Sequence, residues 1–302
     1  MRRGDRQARS ATPGRDPGAE LAAPEAGTGP AAGHPGPGRL ARLAPRRLGL
    51  LAVLLATGAV WAYLLNPPAQ AAGHSAARRG VPFNGTPAVG ALFHVVDGKL
   101  TTHFCTASVV HSKAQNLLIT AAHCVYRNRP PAPGSIAFAP GYHNGKFPRG
   151  VWTITAIYVN QAWHLHSDPN NDVAFMIAGR PGDRIERHTG AEVLGIGRSP
   201  QPVKVIGYPD STNRPVSCAG PAWAFRRNPH QLVWDCGGYT TGTSGGPFLA
   251  HVSGRTGDGT VIGVIGGYEL GGDLPSVSYS PRFFTNIRRL YQQATSGQPP
   301  SW

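Results

Sequence analysis

The run Gly242-Thr243-Ser244-Gly245-Gly246-Pro247 places a serine among glycines, and the run Thr120-Ala121-Ala122-His123-Cys124 places a histidine directly before a cysteine. A serine hydroxyl barely ionises at neutral pH, so a nucleophilic serine needs an imidazole to accept its proton. It also needs backbone N–H groups to hold the oxyanion that develops. The two runs together indicate a serine hydrolase.

The serine run alone does not choose a fold, because Gly242-x-Ser244-x-Gly246 also satisfies the nucleophile-elbow pattern of α/β-hydrolases. Chain order separates the alternatives. Enzymes with that elbow run serine, acid, histidine, whereas His251 follows Ser244 here with no acid between them. A subtilisin-like order could use Asp97, but His123 lacks the histidine-glycine-threonine surroundings of those enzymes. The order histidine, aspartate, serine remains.

From about Phe83 onward the chain consists of short apolar runs bounded by Gly, Pro, Asn or Asp, which is typical of an all-β sandwich or barrel. Roughly 215 residues of such chain are enough for two packed barrels. Segment 281–294 differs, because its apolar residues recur with helical spacing and predict a short amphipathic helix with Arg288 and Arg289 outside. The clearest predicted strands are 117–120, 151–159, 173–177, 203–208 and 261–266.

Three runs in this order resemble the chymotrypsin-like (trypsin-like) serine peptidases: Thr120-Ala121-Ala122-His123-Cys124, Asn171-Asp172-Val173-Ala174-Phe175 and Gly242-Thr243-Ser244-Gly245-Gly246-Pro247. The resemblance covers residues 83–295. It implies two six-stranded antiparallel β-barrels with the active site in the cleft between them, closed by a C-terminal helix. It further implies an endopeptidase that hydrolyses peptide bonds through an acyl-enzyme, with no cofactor and no metal.

The resemblance also assigns roles. Ser244 is the expected nucleophile, and His123 is the expected general base that later protonates the leaving group. Asp172 is expected to fix the imidazole tautomer, and the backbone N–H groups of Gly242 and Ser244 to form the oxyanion hole. Asp168 competes with Asp172 but has the sequence context of a turn. Asp172 is preferred because an apolar strand follows it directly.

The implied substrate pocket lies just before Ser244 and along strand 264–268. No acidic residue falls at the pocket base, which Gly238 occupies, so a trypsin-like pocket is not predicted. Many animal members carry an aspartate where Thr243 stands, and it binds the new N-terminal ammonium after zymogen cleavage. We therefore expect a site assembled without that salt bridge, closer to the bacterial secreted and glutamyl-endopeptidase-like branches. The candidate pocket residues are Gly238, Tyr239, Thr241, Ile265, Gly266 and Gly267.

Four cysteines lie downstream of an uncharged N-terminal segment, where an oxidising compartment would pair them. Three connectivities are possible. We predict Cys105–Cys124 and Cys218–Cys236, because each pair closes one local excursion of the chain. No C-x-x-C run occurs, so a zinc ribbon has little support.

Residues 1–47 are rich in Ala, Gly, Pro and Arg and are expected to form a disordered basic tail or a long signal-peptide front. Residues 48–65 carry no charge and predict either the core of a signal peptide cleaved after Ala69-Gln70-Ala71 or an uncleaved transmembrane anchor; a buried helix is the third alternative. Both membrane interpretations place the peptidase outside the cell, secreted or anchored. The remaining predicted segments are a linker at 66–82, a peptidase domain at 83–295 and a tail at 296–302.

The net charge of +14 is interpreted as a solvated surface, because no nucleic-acid motif accompanies it. The expected partners are a protein or peptide substrate, and a membrane through residues 48–65 if they are retained; nucleic acid is not expected, and the protein is expected to be a monomer. Two rival functions stay open. One is a catalytically silent, protease-shaped binding module at the cell envelope. The other is an HtrA-like quality-control protease, although the stretch after Ser244 is too short for a peptide-binding PDZ domain.

Overall fold

The computed structural model describes residues 78–132 and 134–300, and these form fourteen strands and four short helices. The strands are β1 Val81–Pro82, β2 Val89–Val96, β3 Lys99–Val110, β4 Leu117–Thr120, β5 Ile136–Pro140, β6 Trp152–Val159, β7 Ala174–Gly179, β8 Val193–Leu194, β9 Pro202–Gly207, β10 Val216–Phe225, β11 Asn228–Asp235, β12 Pro247–Ala250, β13 Thr260–Val264 and β14 Val277–Pro281. The helices are α1 Ala122–Val125, α2 Gln161–His166, α3 Glu186–Thr189 and α4 Thr285–Thr295, and Pro169–Asn171 and Tyr268–Gly271 are 3₁₀ turns.

The N-terminal half of the described residues is a closed six-stranded antiparallel barrel with strand order β2-β3-β4-β7-β6-β5. Strand β6 shows why these residues form a barrel wall. Trp152 and Ile154 are buried, while Thr153 and Thr155, which alternate with them, are exposed. This alternation points one face of the strand into the apolar core and the other toward water.

The C-terminal half is a sheet with strand order β14-β11-β10-β9-β12-β13-β8. Strand β13 and the residues after it also bond to β14: the Val264 N–H donates to the Ser280 hydroxyl (2.8 Å) and the Gly266 N–H to the Tyr279 carbonyl (3.0 Å). Strands β9 to β14 therefore form a second barrel-like half, to which the two-residue strands β1 and β8 are added. The predicted all-β fold with two barrels is confirmed.

The C-terminal helix is also confirmed, although α4 begins at Thr285 rather than at the predicted Pro281. Pro281 is still paired in β14, and Phe284 has extended backbone angles. Ile287 and Leu290 are buried on one face of the helix, whereas Arg288 and Arg289 are exposed. The buried face packs in one apolar cluster with residues of both halves, including Val89, Phe175 and Val264.

Both predicted disulfides, Cys105–Cys124 and Cys218–Cys236, are present. Each is expected to stabilise the fold by about 2–4 kcal/mol. The first ties β3 to α1, and the second ties β10 to the end of β11. Disulfides of this kind agree with an extracellular location, because thiols stay reduced in the cytosol.

Residues 78–82, which fall in the predicted linker, are part of the C-terminal sheet. The Gly80 N–H donates to Gly237 O, the Gly237 N–H donates to Arg78 O (both 2.8 Å), and β1 pairs with β10. The predicted tail 1–47, the segment 48–65 and the earlier linker residues lie outside the described residues. Within the described ranges, no helix is long and apolar enough to cross a membrane.

Glu192 is a buried carboxyl group at the connection between the two halves. It has no exposed surface, its N–H donates to Val109 O (2.9 Å), and its carboxylate accepts the Gly259 N–H. Burial raises the pKa of Glu192 to about 8; the Gly259 N–H and Lys204 oppose this rise, and the charge of Asp258 adds to it. The group is therefore protonated in the folded protein at a pH where the unfolded chain has lost that proton.

We predict that Glu192→Gln flattens the pH dependence of stability. The folded form of Glu192 keeps its proton up to about pH 8, so its contribution to the stability of the wild type is complete below about pH 4.5 and is lost as the pH rises to about 8. That rise in pKa corresponds to about 5 kcal/mol. A glutamine amide cannot ionise and still accepts the Gly259 N–H. Urea unfolding across this pH range, with the exposed Glu269→Gln as control, measures the difference; parallel curves for wild type and Glu192→Gln would refute the prediction.

Candidate active site

A cleft of about 1260 Å³ lies between the two halves, and both His123 and Ser244 line it. The N-terminal half contributes the wall from β2, β3 and α1, and the C-terminal half contributes residues 239–244 and 269–275. The sequence places these two residues 121 positions apart. Only the packing of the two halves brings them to one surface.

His123 and Asp172 form a close pair. The His123 Nδ1 and the Asp172 Oδ2 are 2.7 Å apart, and the His123 backbone N–H donates to Oδ1 (2.8 Å). The Gly267 N–H donates to Oδ2 as well (2.8 Å). Asp172 is fully buried, and these three contacts compensate its carboxylate for the loss of water. Because a carboxylate only accepts, Nδ1 carries the proton and Nε2 is left as the acceptor.

The position of Asp172 follows from the turn before it. Pro169–Asn171 form a 3₁₀ turn, and Asp172 is the residue that ends it before β7. Asp168 begins the turn: its carboxylate accepts the Asn170 N–H (2.9 Å) and the Asn171 side-chain N–H (2.7 Å). Asp168 therefore serves the turn, as its sequence context predicts, and Asp172 contacts the imidazole.

The Ser244 loop is fixed by a residue that the sequence did not single out. Thr106, on β3 of the N-terminal half, donates its N–H to Ser244 O (2.8 Å) and its hydroxyl to Gly242 O (3.0 Å). It is fully buried, and its carbonyl accepts the Thr120 hydroxyl (2.7 Å). No local pattern marks Thr106, because the loop residues that it binds, Gly242 and Ser244, lie more than 130 residues away in the chain.

Two N–H groups of the Ser244 loop are left without a protein acceptor. The N–H groups of Thr243, Gly245 and Gly246 donate to Thr240 O, Ile265 O and Thr243 O. Within the described chain, those of Gly242 and Ser244 donate to none. Both residues line the cleft, so the two donors are available to a ligand there. Gly242 has φ +92°, and a Cβ on it would lie 2.5 Å from Tyr208 O, so only glycine fits.

The Ser244 hydroxyl and the His123 ring share the cleft, but no hydrogen bond joins them among the described residues. Such bonds are often long without substrate and shorten when it binds. The structure thus joins His123 to Asp172 directly and brings Ser244 to the same surface.

Thr243 is buried and satisfied by its own loop. It is 3% exposed, its hydroxyl donates to Thr240 O (2.7 Å), and it packs against Gly207. An uncharged side chain with this local partner offers no anion to an N-terminal ammonium. The arrangement is consistent with assembly of the site without that salt bridge.

Only some of the candidate pocket residues line the cleft. Tyr239, Thr241 and Ile265 line the cleft. Gly266 and Gly267 lie against Asp172 instead: a Cβ on Gly266 would be 2.9 Å from the carboxylate, and Gly267 donates its N–H to it. Gly238 lies beside Gly80. The cleft lining also includes residues that no sequence motif marks, among them Arg127, Arg129, Leu270 and Leu274.

The side-chain donors of Cys105, His123 and Cys124 lie within 4.8 Å of one another. The two sulfur atoms are bonded to each other, so they provide no thiolate to a metal ion. This cluster therefore does not fit a zinc site.

Solved structures with the same architecture include the protease Anisep from Arthrobacter nicotinovorans, with a TM-score of 0.63 and 24% identity over 72% of this chain and 100% of that one. The chain has the chymotrypsin-like fold. The thermostable serine protease AL20 from an extremophilic microorganism matches the chymotrypsin-like domain with a TM-score of 0.60 and 24% identity, over 70% and 99% of the two chains. A Glu endopeptidase matches with a TM-score of 0.55 and 16% identity, over 73% and 98%.

Sequence comparison adds a shorter match. An extracellular metalloprotease of Bacillus subtilis (strain 168) is 31% identical over 86 residues, which are 28% of this chain and 26% of that protein. The match thus spans about a quarter of the length of the curated relative. No family model matches the sequence.

Proposed function

We propose that the chain is an exported serine endopeptidase with His123, Asp172 and Ser244 as its catalytic triad. One observation carries the proposal: a single cleft is lined by His123, which bonds to the buried Asp172, by Ser244, and by two backbone N–H groups that have no acceptor among the described residues. A nucleophile, an oriented base and oxyanion donors are the parts that acyl transfer requires. The protease neighbours in fold and the two disulfides support the same conclusion.

The expected reaction has two halves. The Ser244 Oγ attacks the peptide carbonyl carbon as His123 Nε2 takes the hydroxyl proton, and the N–H groups of Gly242 and Ser244 hold the oxyanion. His123 then gives its proton to the leaving amine as the C–N bond breaks. Water attacks the acyl-enzyme in the same way and releases the carboxylic acid and the Ser244 hydroxyl. Asp172 keeps the imidazole oriented and stabilises its positive form throughout.

A fluorophosphonate probe tests the proposal directly. The folded wild type should be labelled, and mass spectrometry should locate the label on Ser244. Ser135, another serine that lines the cleft, provides the control: Ser135→Ala should be labelled and Ser244→Ala should not. Absence of labelling of correctly folded wild type would instead support the silent binding module. Activity that a chelator removes would indicate the metal chemistry named for the Bacillus relative.

The charges of the cleft are divided between its walls. Arg127 and Arg129 stand on the N-terminal wall, directly after the helix that carries His123, whereas Asp210, Glu269 and Asp273 stand on the C-terminal wall. None of these five forms an ion pair within the part of the chain that the structure describes. His123 would protonate the leaving amine, so the leaving-group half of the substrate would lie next to His123. The arginines that follow the His123 helix would then lie beside that half of the substrate. We therefore expect acidic residues to be preferred after the scissile bond.

The charge-reversed variant Arg127→Glu/Arg129→Glu should lose the preference for acidic residues after the scissile bond. We compare kcat/KM for a peptide with an acidic leaving group with kcat/KM for a peptide with a basic one, and expect this ratio to be about tenfold lower than in the wild type. Exposed ion pairs contribute up to about 1 kcal/mol each. A matched pair of fluorogenic peptides measures the ratio. The effect should shrink at high salt, where exposed charges are screened. Arg288→Glu/Arg289→Glu, on the outer side of α4, makes the same charge change away from the cleft. An equal effect from both double variants would contradict the assignment.

A further inference from the structure

Gln231 is a buried polar side chain that the proposed reaction does not itself use. It lies on β11 of the C-terminal half and has no exposed surface. A buried amide is stable only if its donors and acceptor are paired, because it has exchanged water for the protein interior. Its partners therefore show what it holds.

The amide of Gln231 bridges the two halves of the molecule. Its Nε2 donates to Pro169 O and to Asn170 Oδ1 (both 2.9 Å), and its Oε1 accepts the Tyr268 N–H (3.2 Å). The reverse amide orientation would set Nε2 against the Tyr268 N–H, so the partners fix which end is which. Both amide hydrogens and the carbonyl oxygen are used.

Both segments that Gln231 binds, the turn at Pro169–Asn171 and the Gly267–Tyr268 segment, are connected to Asp172. Pro169 and Asn170 belong to the turn that ends at Asp172, and Tyr268 follows Gly267, whose N–H donates to the Asp172 carboxylate. Gln231 therefore connects the segment that carries the carboxylate with the segment that binds it from the opposite barrel. The connection leaves no space for another side chain: a Cβ on Gly267, which has φ +82°, would lie 2.2 Å from Gln231 Oε1.

Two further side-chain amides, those of Asn228 and Asn286, also bind this turn. Asn228 donates to Asn170 Oδ1 (2.9 Å), and Asn286 donates to Asn171 Oδ1 (2.9 Å). Neither contacts the Gly267–Tyr268 segment through a hydrogen bond among the described residues. Gln231 thus differs from both in contacting the two segments that meet at Asp172.

We propose that Gln231 is a positioning residue that sets the Asp172 carboxylate against His123. The inference rests on the proposed function, because it concerns the alignment of that triad. Loss of the amide would free the turn and the Gly267 N–H to shift independently, and displacements of about 1 Å in a catalytic constellation can cost about 10²-fold in rate.

The test replaces Gln231 with methionine, which keeps the length of the side chain and removes its hydrogen bonds. We expect kcat for peptide hydrolysis to fall by about 10²-fold with KM changed less than threefold. The low-field NMR signal of the His123 Nδ1 proton should shift or broaden. Asn228→Ala, which loses one bond to the same turn, is the matched control and should keep kcat within a few-fold of wild type.

A double-mutant comparison separates positioning from a general packing role. If Gln231 acts through Asp172, adding Gln231→Met to Asp172→Asn should lower kcat little further. Additive losses, or wild-type kcat in Gln231→Met, would overturn the inference. If Gln231→Met does not fold, Asn170→Ala removes one Gln231 acceptor together with the Asn228 bond, whose separate loss is measured in Asn228→Ala. Asn170→Ala should lower kcat about tenfold; a kcat no lower than that of Asn228→Ala would also overturn the inference. Fluorophosphonate labelling of the wild type reports on the proposed function separately.

Discussion

Ser244→Ala is expected to lower kcat for peptide hydrolysis by about 10⁶-fold, the scale seen when a triad nucleophile is removed. Alanine has no hydroxyl to form the acyl-enzyme. The fold should be unaffected, because the Thr106 N–H bonds to the backbone carbonyl of residue 244 and not to its side chain. Steady-state hydrolysis of a peptide substrate, with thermal unfolding measured beside it, provides the readout.

The control for this variant is Ser135→Ala. Its hydroxyl also lines the cleft wall but donates to Ala132 O within its own turn (2.6 Å). Its kcat should stay within a few-fold of wild type. A folded Ser244→Ala protein that retained a tenth or more of the wild-type kcat would show that another group is the nucleophile.

Asp172→Asn is expected to lower kcat by about 10⁴-fold. Two oxygen atoms of Asp172 accept three N–H groups, and the asparagine amide replaces one oxygen with a donor. With the amide nitrogen in the Oδ2 position, His123 Nδ1 would have to accept, which places the proton on Nε2 and removes the base. The opposite orientation sets the amide against the His123 backbone N–H. Turnover measured at saturating substrate tests the loss.

Asp168→Asn is the matched control, four residues earlier in the chain. Among the described residues, its carboxylate accepts hydrogen bonds only within the turn, from Asn170 and Asn171, so the change should leave kcat within a few-fold of wild type. If Asp168→Asn caused the larger loss, the acid of the triad would have been assigned to the wrong residue.

Much of the fold follows from local patterns. The apolar runs predict strands wherever one face of a strand is buried, as in β6, and the spacing of Ile287 and Leu290 predicts α4. The helix begins four residues later than the apolar spacing predicts, because Pro281 pairs with β11. The sequence predicts a linker at residues 78–82, since a two-residue strand such as β1 has too short a pattern to detect. The later helix start and the additional strand both arise because these residues pair with strands that are distant in sequence.

In the candidate site, too, some residues can be recognised from their sequence neighbours and others only from the tertiary structure. His123, Asp172 and Ser244 stand out because their neighbours in sequence form recognisable runs. Thr106 and Gln231 do not, because each binds residues far away in the chain. Gly266 and Gly267 were expected in the pocket, but their contact with Asp172 depends on how β13 leaves its barrel.

The sequence by itself determined the all-β class, the order of His123, Asp172 and Ser244 along the chain and the uncharged Thr243, because each depends on residue type and short spacing. The cysteine pairs were one choice among three until the fold brought the sulfur atoms together. Tertiary structure alone decided that His123 bonds to Asp172 and not to Asp168, that the Gly242 and Ser244 N–H groups have no acceptor in the described part of the chain, and that Gln231 connects the two barrels. The reason is physical: hydrogen bonds form between groups within about 3 Å, and only the packing of the two barrels sets those distances.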